Sequence, residues 1–120
     1  MIKEIEFVIP FTQYDRYRHY HLRIKGQIID FSVQYETFLN GEWFPIVRYD
    51  TSHGFAHRDL LNINGRKRKT PLFTTDKNDA LTFAENDIKD NWKLYKERFI
   101  KEAEKNERGR ADGEKHKSKY

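Results

Sequence analysis

Residues 17–50, YRHYHLRIKGQIIDFSVQYETFLNGEWFPIVRYD, decide the fold. From 17 to 25 side chains alternate, with Tyr20, Leu22 and Ile24 on one face and His19, His21 and Arg23 on the other. Residues 28–38 alternate as well, setting Ile29, Phe31, Val33 and Tyr35 against Asp30, Ser32, Gln34 and Glu36. A period of two is the mark of a strand with one buried face. Gly26-Gln27 suits a two-residue turn with glycine first. That turn sets Ile24 opposite Ile29, Leu22 opposite Phe31 and Tyr20 opposite Val33, with Arg23 against Asp30 and His21 against Ser32 behind. Both faces are then chemically matched, which supports the register.

Asn40-Gly41 is the strongest hairpin signal in the chain. A strict two-residue loop there would place Arg48 opposite Val33, on the apolar face. One extra residue, as a three-residue loop or a bulge near Pro45, cures this. Val47 then faces Tyr35 and Tyr49 faces Val33, while Arg48 and Asp50 join Gln34 and Ser32. The expectation is that His19, His21, Arg48 and Asp50 share the polar side of three adjacent strands.

Outward from this core, residues 3–9 (KEIEFVI) predict a strand ending at Pro10, and residues 11–16 a connection. Residues 55–63 and 66–71 predict another hairpin closed by Asn64-Gly65, whose RKRK arm is too charged to be central and suits an edge. Thr75-Asp76 predicts a helix cap, with Asp79 adding negative charge to the first turn. Leu81, Ala84, Ile88, Trp92, Tyr95 and Phe99 recur at three- and four-residue spacing, the stripe of a helix lying on a core. The fold class is therefore α+β: an antiparallel β-meander of five to six strands, one face packed against a long C-terminal helix and the other polar and open. Residues 1–106 are read as a single domain. Residues 107–120, polar with Gly109 and Gly113, are read as a disordered charged tail.

A chain of 120 residues fits one domain. Its 15% aromatic content lets few residues bury much area. With no cysteine, disulfides, thiolate metal sites and cysteine nucleophiles are excluded. No apolar run reaches the ~20 residues of a membrane span, and MIKEIEFVIP is too short and acidic for a signal peptide. A soluble cytoplasmic protein with no membrane partner is expected. The net charge is +4, and the excess lies in the first three-quarters. Arg16, Arg18, Arg23 and Lys25 have no acid among them, and Arg48, Arg58, Arg66, Lys67, Arg68 and Lys69 meet only Asp50 and Asp59. Such a surface favours phosphate-bearing partners. A solvated face is the plain alternative.

Residues 48–61, RYDTSHGFAHRDLL, concentrate the chain's reactive groups. His57 to Asn64 match the kinase catalytic-loop pattern H-R-D-L-x-x-x-N. A chain this short, without a glycine-rich loop, strand lysine or D-F-G, is not a kinase. Asp50, His53, His57 and Asp59 could ligate a metal, but H-x-x-x-H serves that end on a helix and Gly54 argues against one. The expectation is no metal and no cofactor, with a metal-dependent hydrolase as the third reading. The leading reading is RNA binding with metal-independent endoribonuclease chemistry. One histidine takes the ribose 2′-hydroxyl proton, an acid protonates the leaving oxygen, and arginine holds the charge on phosphorus. The candidate catalytic residues are His53, His57, Asp50 and Asp59. Arg48, Arg58 and Arg23 are the phosphate-binding candidates, because the guanidinium fork matches phosphate oxygens. His19, His21 and Tyr49 support them. A non-catalytic module that binds nucleic acid or an acidic protein is the alternative from another class, and an ordinary solvated sheet face is the plain one. Tyr20, Tyr35 and Tyr49 are assigned to the core rather than to base stacking.

The block RYDTSHGFAHRDL, with the strand YRHYHLRI and the Asn40-Gly41 hairpin, resembles a small uncharacterised prokaryotic family over roughly residues 15–72. More loosely, it is similar to the TumE-type toxins of toxin–antitoxin pairs, which have a tyrosine-rich R-Y-H-Y-like strand, a Y-D segment and a histidine-rich stretch before a C-terminal helix. The matching positions are Tyr17, His19 and Tyr20, then Arg48, Tyr49, Asp50 and His53, then His57. The departure is at Arg58-Asp59, where the toxin pattern has another basic residue and a further histidine. The resemblance implies ribonuclease activity and an antitoxin protein as partner. It leaves a homo-oligomer open.

Overall fold

The computed structural model describes residues 1–52, 54–72 and 76–117, with side chains described as far as residue 107. Six strands follow one another as an antiparallel meander: β1 (Ile2–Thr12), β2 (Asp15–Ile24), β3 (Gln27–Leu39), β4 (Glu42–Asp50), β5 (His57–Leu61) and β6 (Lys67–Pro71). One helix, α1 (Lys77–Lys117), packs on β3 and β4. The α+β class, the single sheet and the helix-covered face are as the alternation predicted. Among the described residues, no helix is long and apolar enough to cross a membrane.

The β3–β4 hairpin follows the predicted register. Asn40 and Gly41 both take positive φ, 51° and 86°, the left-handed pair of a type I′ turn. The extra residue enters as a bulge next to Pro45, after which Tyr35 pairs with Val47, Val33 with Tyr49, Gln34 with Arg48 and Ser32 with Asp50.

The β2–β3 hairpin does not. Its turn residues are Lys25 and Gly26, with φ of 50° and 78°, rather than Gly26-Gln27. A bulge then leaves Ile29 without a cross-strand partner, and beyond it His21 pairs with Phe31, His19 with Val33 and Tyr17 with Tyr35. A one-residue slip moves every side chain to the other face. Tyr20 and Leu22, expected in the core, stand opposite Ser32 and Asp30 on the face away from the helix. His19 and His21, expected on the polar side, lie on the helix side. The bulge is held by the start of α1: Asn78 Oδ1 accepts from Ile28 N at 2.8 Å, and Lys77 Nζ donates to the Ile29 carbonyl at 2.7 Å. The backbone groups freed by the bulge are thus satisfied by residues some fifty positions away, which local alternation cannot reveal.

The core lies between α1 and the sheet. Tyr17, Val33, Tyr35, Val47 and Tyr49 are fully buried there beneath Ala84, Ile88 and Phe99. Leu81 is buried, and Trp92 and Tyr95 are half-buried, so the predicted stripe faces the sheet. Trp92 stacks on Phe11 with ring centroids 5.3 Å apart. Asp76 caps the helix by accepting from Asp79 N at 2.7 Å, while Thr75 lies outside the described residues. The helical backbone passes residue 106, where the sequence reading ended it, and runs to Lys117. At the sheet edges, β1 runs beyond Pro10 to Thr12, and all five residues of β6 are exposed, as a lysine-rich edge should be.

Candidate functional site

Strand pairing assembles a polar cluster on the face away from the helix. In the β4–β5 register, Arg48 faces Asp59 and Asp50 faces His57, so all four share one side of the sheet. His57 Nε2 lies 2.8 Å from Asp50 Oδ1 and 3.7 Å from Asp59 Oδ2. The cluster is sunk rather than displayed: the side chains of His57, Asp59 and Asp50 are 1%, 2% and 16% exposed. The ring of Phe55 meets that of His57 edge-on at 6.1 Å. Asp50 Oδ1 also accepts from Ser52 N and Ser52 Oγ, at 3.3 and 3.1 Å.

A polar chain runs from the cluster across the same face. Arg48 Nε donates to Gln34 Oε1 at 2.8 Å, and Gln34 donates to Glu36. Glu36 in turn pairs with Arg16 at 2.5 Å and with Arg18 at 3.8 Å. Beside this chain a groove of about 480 Å³ is lined by residues including Arg18, Tyr20, Ser32 and Gln34. Arg18, with 49% of its side chain exposed, is the most accessible cation of this chain.

The other predicted site residues lie elsewhere. Arg58 sits opposite Tyr49, on the helix side, and donates to Tyr95 Oη at 3.3 Å. It belongs to a network in which Tyr49 and Tyr95 both donate to Asp87 and Asn91 braces it. Arg58 therefore does not join Arg48 as a phosphate clamp. Tyr49 is a core residue, as assigned. Arg23 is exposed but lies on the His21 side, where its charge disfavours protonation of that ring. His53 lies outside the described residues.

His19 and His21 instead extend a buried chain. Tyr17 Oη donates to His19 Nδ1 at 2.7 Å, and His19 Nε2 to His21 Nδ1 at 2.7 Å, one consistent tautomer set for neutral rings. Phe7 stacks on His19 at 4.3 Å, and Glu85 Oε1 from α1 lies 3.6 Å from its Nδ1. Burial pushes the His19 pKa down to about 4, helped by His21 and Lys89. Burial and Arg23 lower that of His21, while Glu85 opposes them.

A second buried node went unseen in the sequence. Asp15, 2% exposed, accepts from Thr12 Oγ1 and Tyr35 Oη at 2.6 Å each and from Thr37 Oγ1 at 2.9 Å, and pairs with Lys96 at 3.1 Å. Burial works against its ionisation, but these donors outweigh burial and hold the carboxyl below its usual range. The Asp15 node joins β2, β3 and α1, which marks it as structural.

Fold and site together define a class: a six-stranded antiparallel meander backed by one long helix, with a recessed Asp-His-Asp cluster on the face away from the helix. Residues 2–105 match the model of a domain of unknown function, DUF7718, and the chain belongs to that family. Comparisons with curated proteins and with solved structures give no match.

Proposed function

We propose that this protein binds RNA on the face away from the helix and cleaves it at the Asp50–His57–Asp59 cluster. The observation that carries the reading is that Arg48, Asp50, His57 and Asp59 converge on that face, next to Arg16, Arg18 and a polar groove. Arg48 and Arg18 are the groups to hold phosphate, and Tyr20, half-buried at the groove, offers a ring for a base. In the metal-independent form His57 moves the proton and Asp50 orients it. Since His57 is 1% exposed, that form requires the cluster to open before a ribose hydroxyl reaches Nε2. The resemblance to TumE-type toxins adds an antitoxin protein as partner. The competing reading, a non-catalytic binding module, is favoured by Gln34 and Glu36, which already hold Arg48 and Arg16.

Labelled single-stranded RNA incubated with the protein, with and without chelator, tests the proposal. Cleavage that is lost in His57→Gln, and binding weakened several-fold in Arg48→Lys, are expected. Binding without cleavage would leave the binding module, and neither binding nor cleavage would overturn both.

A further inference from the structure

We infer that Asp50, His57 and Asp59 form a binding site for a divalent transition-metal ion, against the expectation drawn from sequence. Each residue offers one ligand atom, and the three atoms lie within 4.8 Å of one another. Two zinc ligands at bonds of about 2.1 Å and the tetrahedral angle stand roughly 3.4 Å apart. The His57 Nε2 distances to the two carboxylates, 2.8 and 3.7 Å, bracket that value.

The second observation is the state of Asp59. Its side chain is 2% exposed, yet Oδ1 has no hydrogen-bond partner, and Oδ2 stands 3.7 Å from His57, outside hydrogen-bond range. Arg48 and Lys69 hold the cross-strand positions on either side, but among the described residues neither places a nitrogen within 4.0 Å of it. A buried carboxylate oxygen without a donor is disfavoured. A cation bound between Asp59, Asp50 and His57 removes that penalty.

Two carboxylates and one imidazole, with no sulfur, suit ions that accept mixed nitrogen and oxygen ligands, such as Zn2+. Three protein ligands leave a position for water or a phosphate oxygen, the pattern of catalytic sites rather than closed structural ones. The site stands on its coordination geometry and does not depend on RNA being the substrate.

The test is calorimetry of Zn2+ binding to the chelator-treated full chain, without RNA. One saturable site per chain is expected, weakened at least about tenfold in Asp59→Asn, since even outer partners of a metal site contribute that much. His21→Ala should bind as the wild type does, which separates this site from the His19–His21 pair. Nitrogen-15 spectra supply a readout that needs no variant: Zn2+ should shift the Nε2 resonance of His57 and leave those of His19 and His21 in place. No saturable binding, a shift confined to His21, or a folded Asp59→Asn with undiminished affinity would each overturn the inference. None of those results bears on whether RNA is bound.

Discussion

Acidification from pH 7 to pH 5 should destabilise the fold through His19. The ring is 3% exposed, accepts from Tyr17, and is held at a pKa of about 4 against 6.5 unfolded. The folded state therefore resists a proton that the unfolded chain takes readily. Between those two values the unfolded state binds more protons, so stability falls as pH falls. The loss begins near the unfolded value and is complete below the folded one. From the two pKa values it amounts to about 2 kcal/mol by pH 5 and at most about 3 kcal/mol in all. Protonated His19 would also turn an N–H toward Tyr17 Oη, and Glu85, 3.6 Å away and 32% exposed in its side chain, offers only partial relief. Asp15 does not confuse the window, because its lowered pKa places its own loss below pH 4. Urea unfolding at pH 7.0, 6.0 and 5.0, for wild type and His19→Phe, is the assay. The variant forfeits the Tyr17 bond and is less stable at pH 7, but its pH profile should be flatter by about 2 kcal/mol. A wild type equally stable at pH 7 and pH 5, or a variant with an unchanged slope, would refute the reasoning.

Two further variants probe how the helix is held. Trp92→Ala removes a half-buried ring that stacks on Phe11 and touches Tyr35, and should cost roughly 3 kcal/mol in denaturant unfolding; unchanged stability would mean the stripe does not pack as described. Asp15→Asn keeps the shape but loses the ion pair with Lys96 and gives Tyr35 and Thr37 a poorer acceptor, so a loss of about 3 kcal/mol is expected; it should also erase any acid-sensitive step below pH 4, which titration of the melting temperature would reveal.

Sequence periodicity reached the fold class, the strand order and the helix stripe because each is a local repeat that only one architecture can bury. The β3–β4 register was legible for a sharper reason. A charge, Arg48, would have entered the core without a bulge, and that penalty singles out one pairing. No such penalty guarded the β2–β3 register. Tyr20, Leu22 and Ile24 make one plausible core row and Tyr17, His19 and His21 make another. Apolarity alone favours the first. The chain uses the second, because Tyr17 and His19 can be buried with their polar atoms paired along a continuous hydrogen-bond chain. The deciding partners, Asn78 and Lys77 at the bulge and Glu85 over the histidines, lie on the helix and are invisible to alternation.

The same blindness split the candidate site. Residues 48–61 are dense in reactive groups, but density along the chain is not proximity in space. Alternation along β5 sends His57 and Asp59 to one face and Arg58 to the other, where it joins Tyr95 and the Asp87 network. An i, i+4 pair such as His53 and His57 serves a metal on a helix, so spacing along the chain argues against a metal here. Pairing between β4 and β5 instead brings together residues 50, 57 and 59, a combination with no fixed sequence spacing. A carboxylate from one strand can meet an imidazole and a second carboxylate two residues apart on its neighbour, whatever the loop between them contains. The consequence for function is direct. With His19 and His21 across the sheet, His57 is the only described histidine on the face away from the helix. Among the described residues no second imidazole stands beside His57 to trade a proton with it, whereas a site made of Asp50, His57 and Asp59 needs one cation and nothing further from the described histidines.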